Sequence, residues 1–321
     1  MSYIKHLSAA LAAGLLTLMA GAALASDKPY IIIAPAAPGG ILDQTSRLVA
    51  KSLSDVLKQP VIVQNVPGAG GTLGIQAALR ANPDGHTLVM GSLGPNAANY
   101  TLQEKLPYKP EDLAPVIQVL SMPNVLVANA QLGAKTVADL KALAKANPKG
   151  LSMAVSTSGS SGHLTGELFK ARSGINAVNV IYRGAAPALT DLIGGQVDIM
   201  VDNLITALPH IRSGKLTPIA VTTRERIPDL PQVPTLIESG YPDIVVTVWL
   251  GLFTSAKTPP AIVAALNREL QKVMASAEIR QRFAEQGGVS VGGSSQDFQD
   301  FVTSEQNRWG QVIRAANLKA D

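Results

Sequence analysis

Short apolar runs that end in glycine-rich loops recur along this chain, and that recurrence restricts its fold more than any other feature. Tyr30-Ile31-Ile32-Ile33 leads into Pro38-Gly39-Gly40-Ile41-Leu42-Asp43, Val61-Ile62-Val63 into Pro67-Gly68-Ala69-Gly70-Gly71, and Thr87-Leu88-Val89-Met90 into Gly91-Ser92-Leu93-Gly94. After the first loop, Leu42, Val49, Leu53, Val56 and Leu57 fall at helical steps on one face, and residues 72–81 read as a second, shorter helix. Gln59-Pro60 and Asn82-Pro83-Asp84-Gly85 stop these helices. Strands that alternate with helices need crossovers, so the pattern predicts an α/β fold, a mostly parallel sheet flanked by helices.

The same grammar restarts downstream. Thr136-Val137-Ala138-Asp139 has capping-box spacing and opens a helix that ends near Asn147-Pro148-Lys149-Gly150. Strands are predicted over 151–155, 178–182, 197–201 and 217–221, and a helix over 185–193 closed by Gly194-Gly195. Beyond Arg224, Pro228, Pro231 and Pro234 rule out regular helix or central strand and mark a surface excursion, which returns as a strand over 244–249. At about 150 residues per domain, 321 residues imply two lobes and a cleft between them. The expected division is 26–125 plus 247–321 for the first lobe and 126–246 for the second. Hinge strands are expected near 116–127 and 244–253, with the helices from Pro260 onward completing the first lobe.

The N-terminus sets the expected compartment. Lys5 and His6 precede an apolar run over 7–19, and Ala23-Leu24-Ala25 supplies a small-residue cleavage pattern, so 1–25 reads as a cleaved signal peptide and the mature chain as a soluble periplasmic protein. With zero Cys, disulfide and thiolate-metal frameworks are excluded, and the 46% hydrophobic content must stabilise the fold by packing. Losing Lys5 with the leader turns 27 Lys+Arg against 23 Asp+Glu into a net of +3. Basic residues are dispersed and aromatics make up only 4%, so neither a phosphate-tracking stripe nor a base-stacking platform exists and nucleic acid is excluded as a partner.

Open α/β sheets bind ligands beyond the carboxyl ends of their strands, where loops pass into helix N-termini with free N–H groups. The three loops above fit that description, as does Ser156-Thr157-Ser158-Gly159-Ser160-Ser161-Gly162-His163 in the second lobe. Glycine admits close backbone approach and Ser or Thr hydroxyls add donors, so such loops can hold a carboxylate without a dedicated Arg, although each could equally be a tight turn. Sharper motifs fail. Gly68-Ala69-Gly70-Gly71-Thr72-Leu73-Gly74 breaks the G-x-G-x-x-G spacing at Leu73, and no Walker ending, G-x-S-x-G elbow or H-E-x-x-H pattern occurs. Ser160 or Ser161 beside His163 invites a hydrolase reading, but at a helix start these residues are more simply caps and ligand donors. His6, His86, His163 and His210 are scattered, so no metal or cofactor is implied. Asp202 can accept from a bridging water or order the hinge, or it can cap the helix beginning at Leu204. Arg183 can be solvated or pair at the lobe interface, and Arg47 reads as a surface cation.

Taken in order, several segments resemble one family across essentially the whole mature chain. They are Pro38-Gly39-Gly40 with Asp43 and Arg47, Gly68-Ala69-Gly70-Gly71 with Gly74, Pro83-Asp84-Gly85-His86-Thr87-Leu88, Gly159-Ser160-Ser161-Gly162-His163-Leu164, Tyr182-Arg183-Gly184 with Pro187-Ala188 and Asp191-Leu192, Gly195-Gln196-Val197-Asp198, and Pro231-Gln232-Val233-Pro234-Thr235. The sequence resembles the Bug receptors, the TctC-like substrate-binding proteins of tripartite tricarboxylate transporters. The resemblance implies a two-lobed type II periplasmic-binding-protein fold of the Venus-flytrap kind. Such a receptor holds a small carboxylate largely by backbone amides, hydroxyls and ordered waters.

Those functions map onto Gly39, Gly40, Ser158, Ser160 and Ser161, with Ser92 and Asp202 as neighbours. Pro38, Ile41, Asp43, Thr157, Gly159 and His163 complete the ligand-binding set, which contains no catalytic residue. Tyr-Arg-Gly replaces the usual Tyr-Lys-Gly, and His86 stands where Tyr is frequent after Asp-Gly; both departures bear on the ligand rather than on the family. The flanking Ile41, Leu42, Leu93, Pro95, Asn96 and Thr157 suit a compact or aromatic organic acid better than a polyanion. Dicarboxylates, tricarboxylates, acidic amino acids and aromatic acids all stay open. A monomer that delivers its ligand to a membrane permease is expected, the alternatives being docking to a sensor kinase or an α/β enzyme acting on a carboxylate. The leader and the lack of DNA-binding helices argue against a regulator's effector domain.

Overall fold

The computed structural model describes residues 28–315, so the leader expected over 1–25 lies outside the described residues. Strand β1 (Tyr30–Ala34) is followed by α1 (Ile41–Leu57), β2 (Val61–Asn65), α2 (Thr72–Arg80) and β3 (Thr87–Ser92). β1 pairs in parallel with β2 on one side and β3 on the other. Ile32, Leu88 and Met90 enter one core while Ile33 and Val89 enter another, which is why these strands read as unbroken apolar runs rather than as alternation.

A π turn over Gly94–Ala98 and the short α3 (Asn99–Leu102) lead to β4 (Leu113–Asn129). Up to Pro123, β4 belongs to the first sheet; from Asn124 onward it pairs antiparallel with strands of a second. Then follow α4 (Val137–Ala146), β5 (Leu151–Val155), α5 (Ser161–Ser173), β6 (Ala177–Ile181), α6 (Ala185–Ile193), β7 (Ile199–Asn203), α7 (Leu204–Arg212) and β8 (Leu216–Val221). The Thr136 capping box on α4 forms, with Asp139 accepting the Thr136 N–H at 2.9 Å. β5 is parallel to β6 and to β7, whereas β4 runs antiparallel to β7 and β8.

The chain returns through β9 (Thr247–Ser255), which slots antiparallel between β3 and β4, and continues as α8 (Pro260–Ala275), α9 (Ala277–Glu285), β10 (Val289–Gly292) and α10 (Ser295–Ala315). Each sheet thus has a parallel half that carries the loops and an antiparallel part that closes it. This is the two-lobed α/β architecture expected from the sequence.

Three details differ from the sequence pattern. The strand expected over 197–201 begins at Ile199, because the Asp198 carboxylate is held by the Ser152 N–H and hydroxyl at 2.7 and 2.6 Å. The strand expected from residue 244 begins at Thr247. Val246 instead gives its N–H to Thr222 O at 2.9 Å, and the Thr222 hydroxyl sits 3.1 Å from Asn124 O and 2.5 Å from Val246 O. These bonds knot the two passages between the sheets. The proline-rich excursion is not merely superficial either, since Ile227, Leu230 and Val233 are buried against Val125, Leu189 and Leu204 in the second sheet's outer core.

Candidate functional site

The loops that follow β1, β2 and β3 leave the same edge of the first sheet. In the first of them, Gly39 adopts φ +88°, a left-handed conformation that glycine enters without penalty, and its N–H points at Asp43 Oδ2, 2.9 Å away. Asp43 is buried, and its other oxygen accepts from Asn65 Nδ2 and from Arg47, both at 2.9 Å. Burial pushes this carboxyl up, but Arg47, the Gly39 N–H and Asn65 outweigh it and hold it below the ordinary carboxylate range. Asp43 is therefore an ionised clasp on the loop, its charge met by Arg47, and the Gly39 amide is already committed.

What remains for a ligand is the first turn of α1, whose N-cap Gly40 is exposed, extended and without a side-chain cap. Asp43→Ala is expected to leave the fold intact but raise the Kd for a bound carboxylate about 10-fold or more, as the loop loses the acceptor that holds the Gly39 N–H. Calorimetry beside a thermal melt checks this.

The second loop folds as a 3₁₀ turn in which Gly68, Ala69, Gly70 and Gly71 all have positive φ, Ala69 at 47°. An alanine there is a strained position of the kind that persists where surrounding structure enforces it. The third loop is the π turn, an arrangement that recurs at functional sites. Inside it Asn96 accepts the Ser92 N–H at 3.0 Å, and its main-chain oxygen accepts from Gln306 of α10 at 2.9 Å. Tyr108 donates to Pro95 O at 2.7 Å, and burial pushes its phenol up to about 12 although Thr72 and Asn99 lie near enough to ease ionisation. Neither Thr72 Oγ1 nor Asn99 Nδ2 reaches hydrogen-bond geometry.

On the second lobe, Ser160 caps α5 by accepting the His163 N–H at 3.2 Å. The buried His163 ring takes the Gly159 N–H on Nδ1 at 3.0 Å, which places a neutral ring's proton on Nε2, 3.9 Å from Glu167. The nitrogen that a serine would need as its base is thus spent on the loop itself. Ser160 N–H goes to Thr157 O and the Thr157 hydroxyl to Ser156 O. The hydroxyls of Ser158 and Ser161 and the first-turn N–H groups of α5 are what the loop still offers.

The two lobes meet at these loops. A methyl group added to Gly94 would stand 2.8 Å from Gly159 O, so only a hydrogen fits between the π turn and the serine-rich loop. Asn99, which the sequence pattern did not single out, lies in this seam; Asn96 three residues earlier was the nearest signal.

Of the remaining candidates, Pro38 is exposed and Ile41 half-buried at the start of α1, and Ser92 is half-buried at the end of β3. Asp202 ends β7 fully buried, with Thr206 donating to it at 2.6 Å and Asn203 as the N-cap of α7. Burial pushes its carboxyl up to about 6, while Thr206 and the Asn203 N–H pull the other way. The folded value lies above the unfolded value of about 3.9, so between roughly pH 4 and 6 the native state holds the extra proton. The stabilisation is complete below that window and lost as pH rises through it. Asp202→Asn is expected to be more stable than wild type by roughly 1–3 kcal/mol at pH 7.5, with the difference vanishing near pH 4 in urea titrations.

Among the described residues no group of three or more His, Asp or Glu is placed to hold a metal ion, and no helix is long and apolar enough to cross a membrane.

A family model described as tripartite tricarboxylate transporter family receptor matches residues 45–318. Protein BugT of Bordetella pertussis (strain Tohama I) is 38% identical over 295 residues, covering 91% of this chain and 90% of that protein. An R. palustris protein solved with adipate superposes with a TM-score of 0.85 at 34% identity, over 91% of this chain and 98% of that one. MatC from Rhodopseudomonas palustris, solved with bound malate, gives 0.83 at 32% identity over 89% and 98%.

Proposed function

The chain belongs to the tripartite tricarboxylate transporter receptor family, and from that premise we propose that it is a periplasmic receptor which closes on a small carboxylate and delivers it unchanged to a membrane permease. The observation that carries this reading is the approach of the first lobe's sheet-end loops to the serine-rich loop, Gly94 beside Gly159 O and Gly70 beside Ser158 O, in a molecule where α1 and α5 both start from such loops. Asp43 and His163 hold their backbones, and each leaves first-turn N–H groups for an anion. Donors of this neutral kind suit a compact dicarboxylate, the class that adipate and malate represent in the two similar structures. A ligand that touches both lobes favours the closed arrangement by its differential affinity, and the closed surface is what a permease would recognise.

The reading is tested by a thermal-shift screen of aliphatic, aromatic and amino-acid carboxylates, with calorimetry on each hit and chemical recovery of the ligand. Unchanged ligand with concentration-dependent stabilisation supports a receptor; turnover or an empty panel overturns it. Gly40→Val sharpens the test. Gly40 has φ −81° with no atom but Ala37 O, at 3.9 Å, near an added methyl, so valine fits the fold and obstructs only the ligand's approach. A Kd raised about 10-fold at nearly unchanged Tm is expected, and an unchanged Kd removes this loop from the site.

A further inference from the structure

The serine-rich loop is held by a side chain of the one type whose ordinary titration falls near neutrality, at about pH 6.5. His163 is 4% exposed; its Nδ1 accepts the Gly159 N–H at 3.0 Å, and its own main-chain N–H goes to Ser160 Oγ at 3.2 Å. Gly159 has φ +74°, and its carbonyl is the group that stands against Gly94 of the first lobe. The imidazole therefore fixes the residue at which the two lobes meet. Asp43, its counterpart on the first lobe, is held below the ordinary carboxylate range and keeps its charge at any pH above that range. Of the two side chains that clasp these loops, only His163 is of a kind that changes state between pH 5 and 8.

A neutral ring protonated on Nε2 presents a lone pair at Nδ1, whereas an imidazolium carries a hydrogen there and can only donate. Protonation thus sets two donors against each other across 3.0 Å, and the loop has to let go. On α5, Glu167 lies 3.9 Å from Nε2 and favours the cation, while Lys170, 2.5 Å from Glu167 and 3.0 Å from Asn179 Oδ1, offsets it. β6 brings up only the Asn179 amide, 3.5 Å from Nε2 and 2.7 Å from Glu167. β5 carries no charged residue, and β7 only Asp202, which takes the Thr206 hydroxyl of α7. Arg172 and Asp243 pair with each other at the far end of α5, and the first lobe presents Gly70, Gly94 and Asn99 to the seam, none of them charged. We propose that His163 is a positioning residue that links ligand binding to a proton: the neutral ring holds the Gly159 loop in its binding conformation, and the imidazolium releases both loop and ligand. This rests on the receptor reading above and adds the regulation of its second-lobe loop.

Two measurements on the full mature protein decide the matter. Calorimetry with adipate and malate between pH 8 and 5, in buffers of different ionisation heat, compares wild type with His163→Asn, whose side-chain oxygen can accept the Gly159 N–H and does not titrate. Wild type is expected to bind about 10-fold or more weakly at pH 5 than at pH 8 and to release up to one proton more on binding than the variant. Protons taken up by the ligands themselves or by Asp202 are common to both proteins and cancel in the comparison. Equal profiles overturn the proposal, and so does proton uptake by wild type, which would mean that the charge of the ring attracts the ligand more than its lost acceptor matters. His163→Ala, with no acceptor, should bind weakly at every pH. Nuclear magnetic resonance of ligand-free wild type is the second measurement: the Gly159 amide resonance should titrate with the midpoint of the His163 ring, and an amide that does not follow the ring overturns the proposal even if binding varies with pH. If neither acid nor any other in the wider panel binds at any pH, the receptor reading falls, while the resonance titration still decides whether the proton moves the loop.

Discussion

Replacing Gly162 with alanine is expected to weaken carboxylate binding about 100-fold, because the added methyl would stand 2.3 Å from Val201 O. The obstacle is a backbone carbonyl in β7, a strand held by β4 on one side and β5 on the other, so it cannot swing aside as a side chain would. The start of α5 must move instead, by about the ångström that separates such a contact from ordinary packing, and overpacking of this kind costs about 1–3 kcal/mol. That start carries Ser160, Ser161 and the N–H groups offered to the ligand, and a displacement of that size breaks hydrogen bonds whose useful range is only a few tenths of an ångström wide. Calorimetry with the best carboxylate of the screen, beside circular dichroism and a melt, separates the effects. Loss of binding with retained secondary structure is expected, and a Kd within threefold of wild type would mean that α5 does not present the ligand's donors.

The largest loss of stability is expected from Glu305→Ala. Glu305 on α10 is nearly buried, and its Oε2 accepts from two indole nitrogens, Trp249 at 3.1 Å and Trp309 at 3.2 Å, both rings fully buried, while Oε1 pairs with Arg308 at 3.3 Å. Alanine strands both indole donors and leaves Arg308 with its contact to Val245 O and the face of Trp309. At about 1–3 kcal/mol for each stranded donor, the variant should lose roughly 3–5 kcal/mol of unfolding free energy. Glu305→Gln keeps an acceptor oxygen and should lose about half as much. Urea denaturation followed by tryptophan fluorescence reads both variants, and equal stability of Glu305→Ala and wild type would show that water replaces the carboxylate. The next residue, Gln306, holds the π turn through Asn96 O, so the destabilised variant should also bind its ligand less tightly.

Much of this architecture was legible in the sequence where the interactions are local. The capping box at Thr136, the glycine-rich loops and the helix stops at Pro60 and Gly194 are decided by neighbours a few residues apart, and they stand in the structure. Where a partner lies far along the chain, the pattern was ambiguous. Asp43 follows a Pro-Gly-Gly loop and looks aimed at a ligand; only Asn65, on the next strand, shows that it is turned inward. His163 beside two serines reads more simply as part of a helix cap than as a hydrolase pair, but the Gly159 N–H that its ring accepts is not visible in the pattern. Asn99 carried no local signature, because what makes it notable is a seam assembled from Gly70, Gly94 and Gly159. Ile227, Leu230 and Val233, buried between exposed prolines, were likewise hidden in a segment that reads as loop.

The position of β9 bears on how the chain comes to be folded at all. The first sheet runs β2-β1-β3-β9-β4, so the strand between β3 and β4 is made more than a hundred residues after either of them. A nascent chain that has emerged only as far as β8 holds both strands with bare, apolar edges facing a gap that nothing yet fills. Folding therefore ends with an insertion rather than an addition, a nonlocal step that is intrinsically slow and leaves the intermediate prone to pairing with other chains. Whatever keeps such intermediates apart during synthesis has to act until Ser255 has been added, and a truncation anywhere before it removes the strand that joins the two halves of the first sheet.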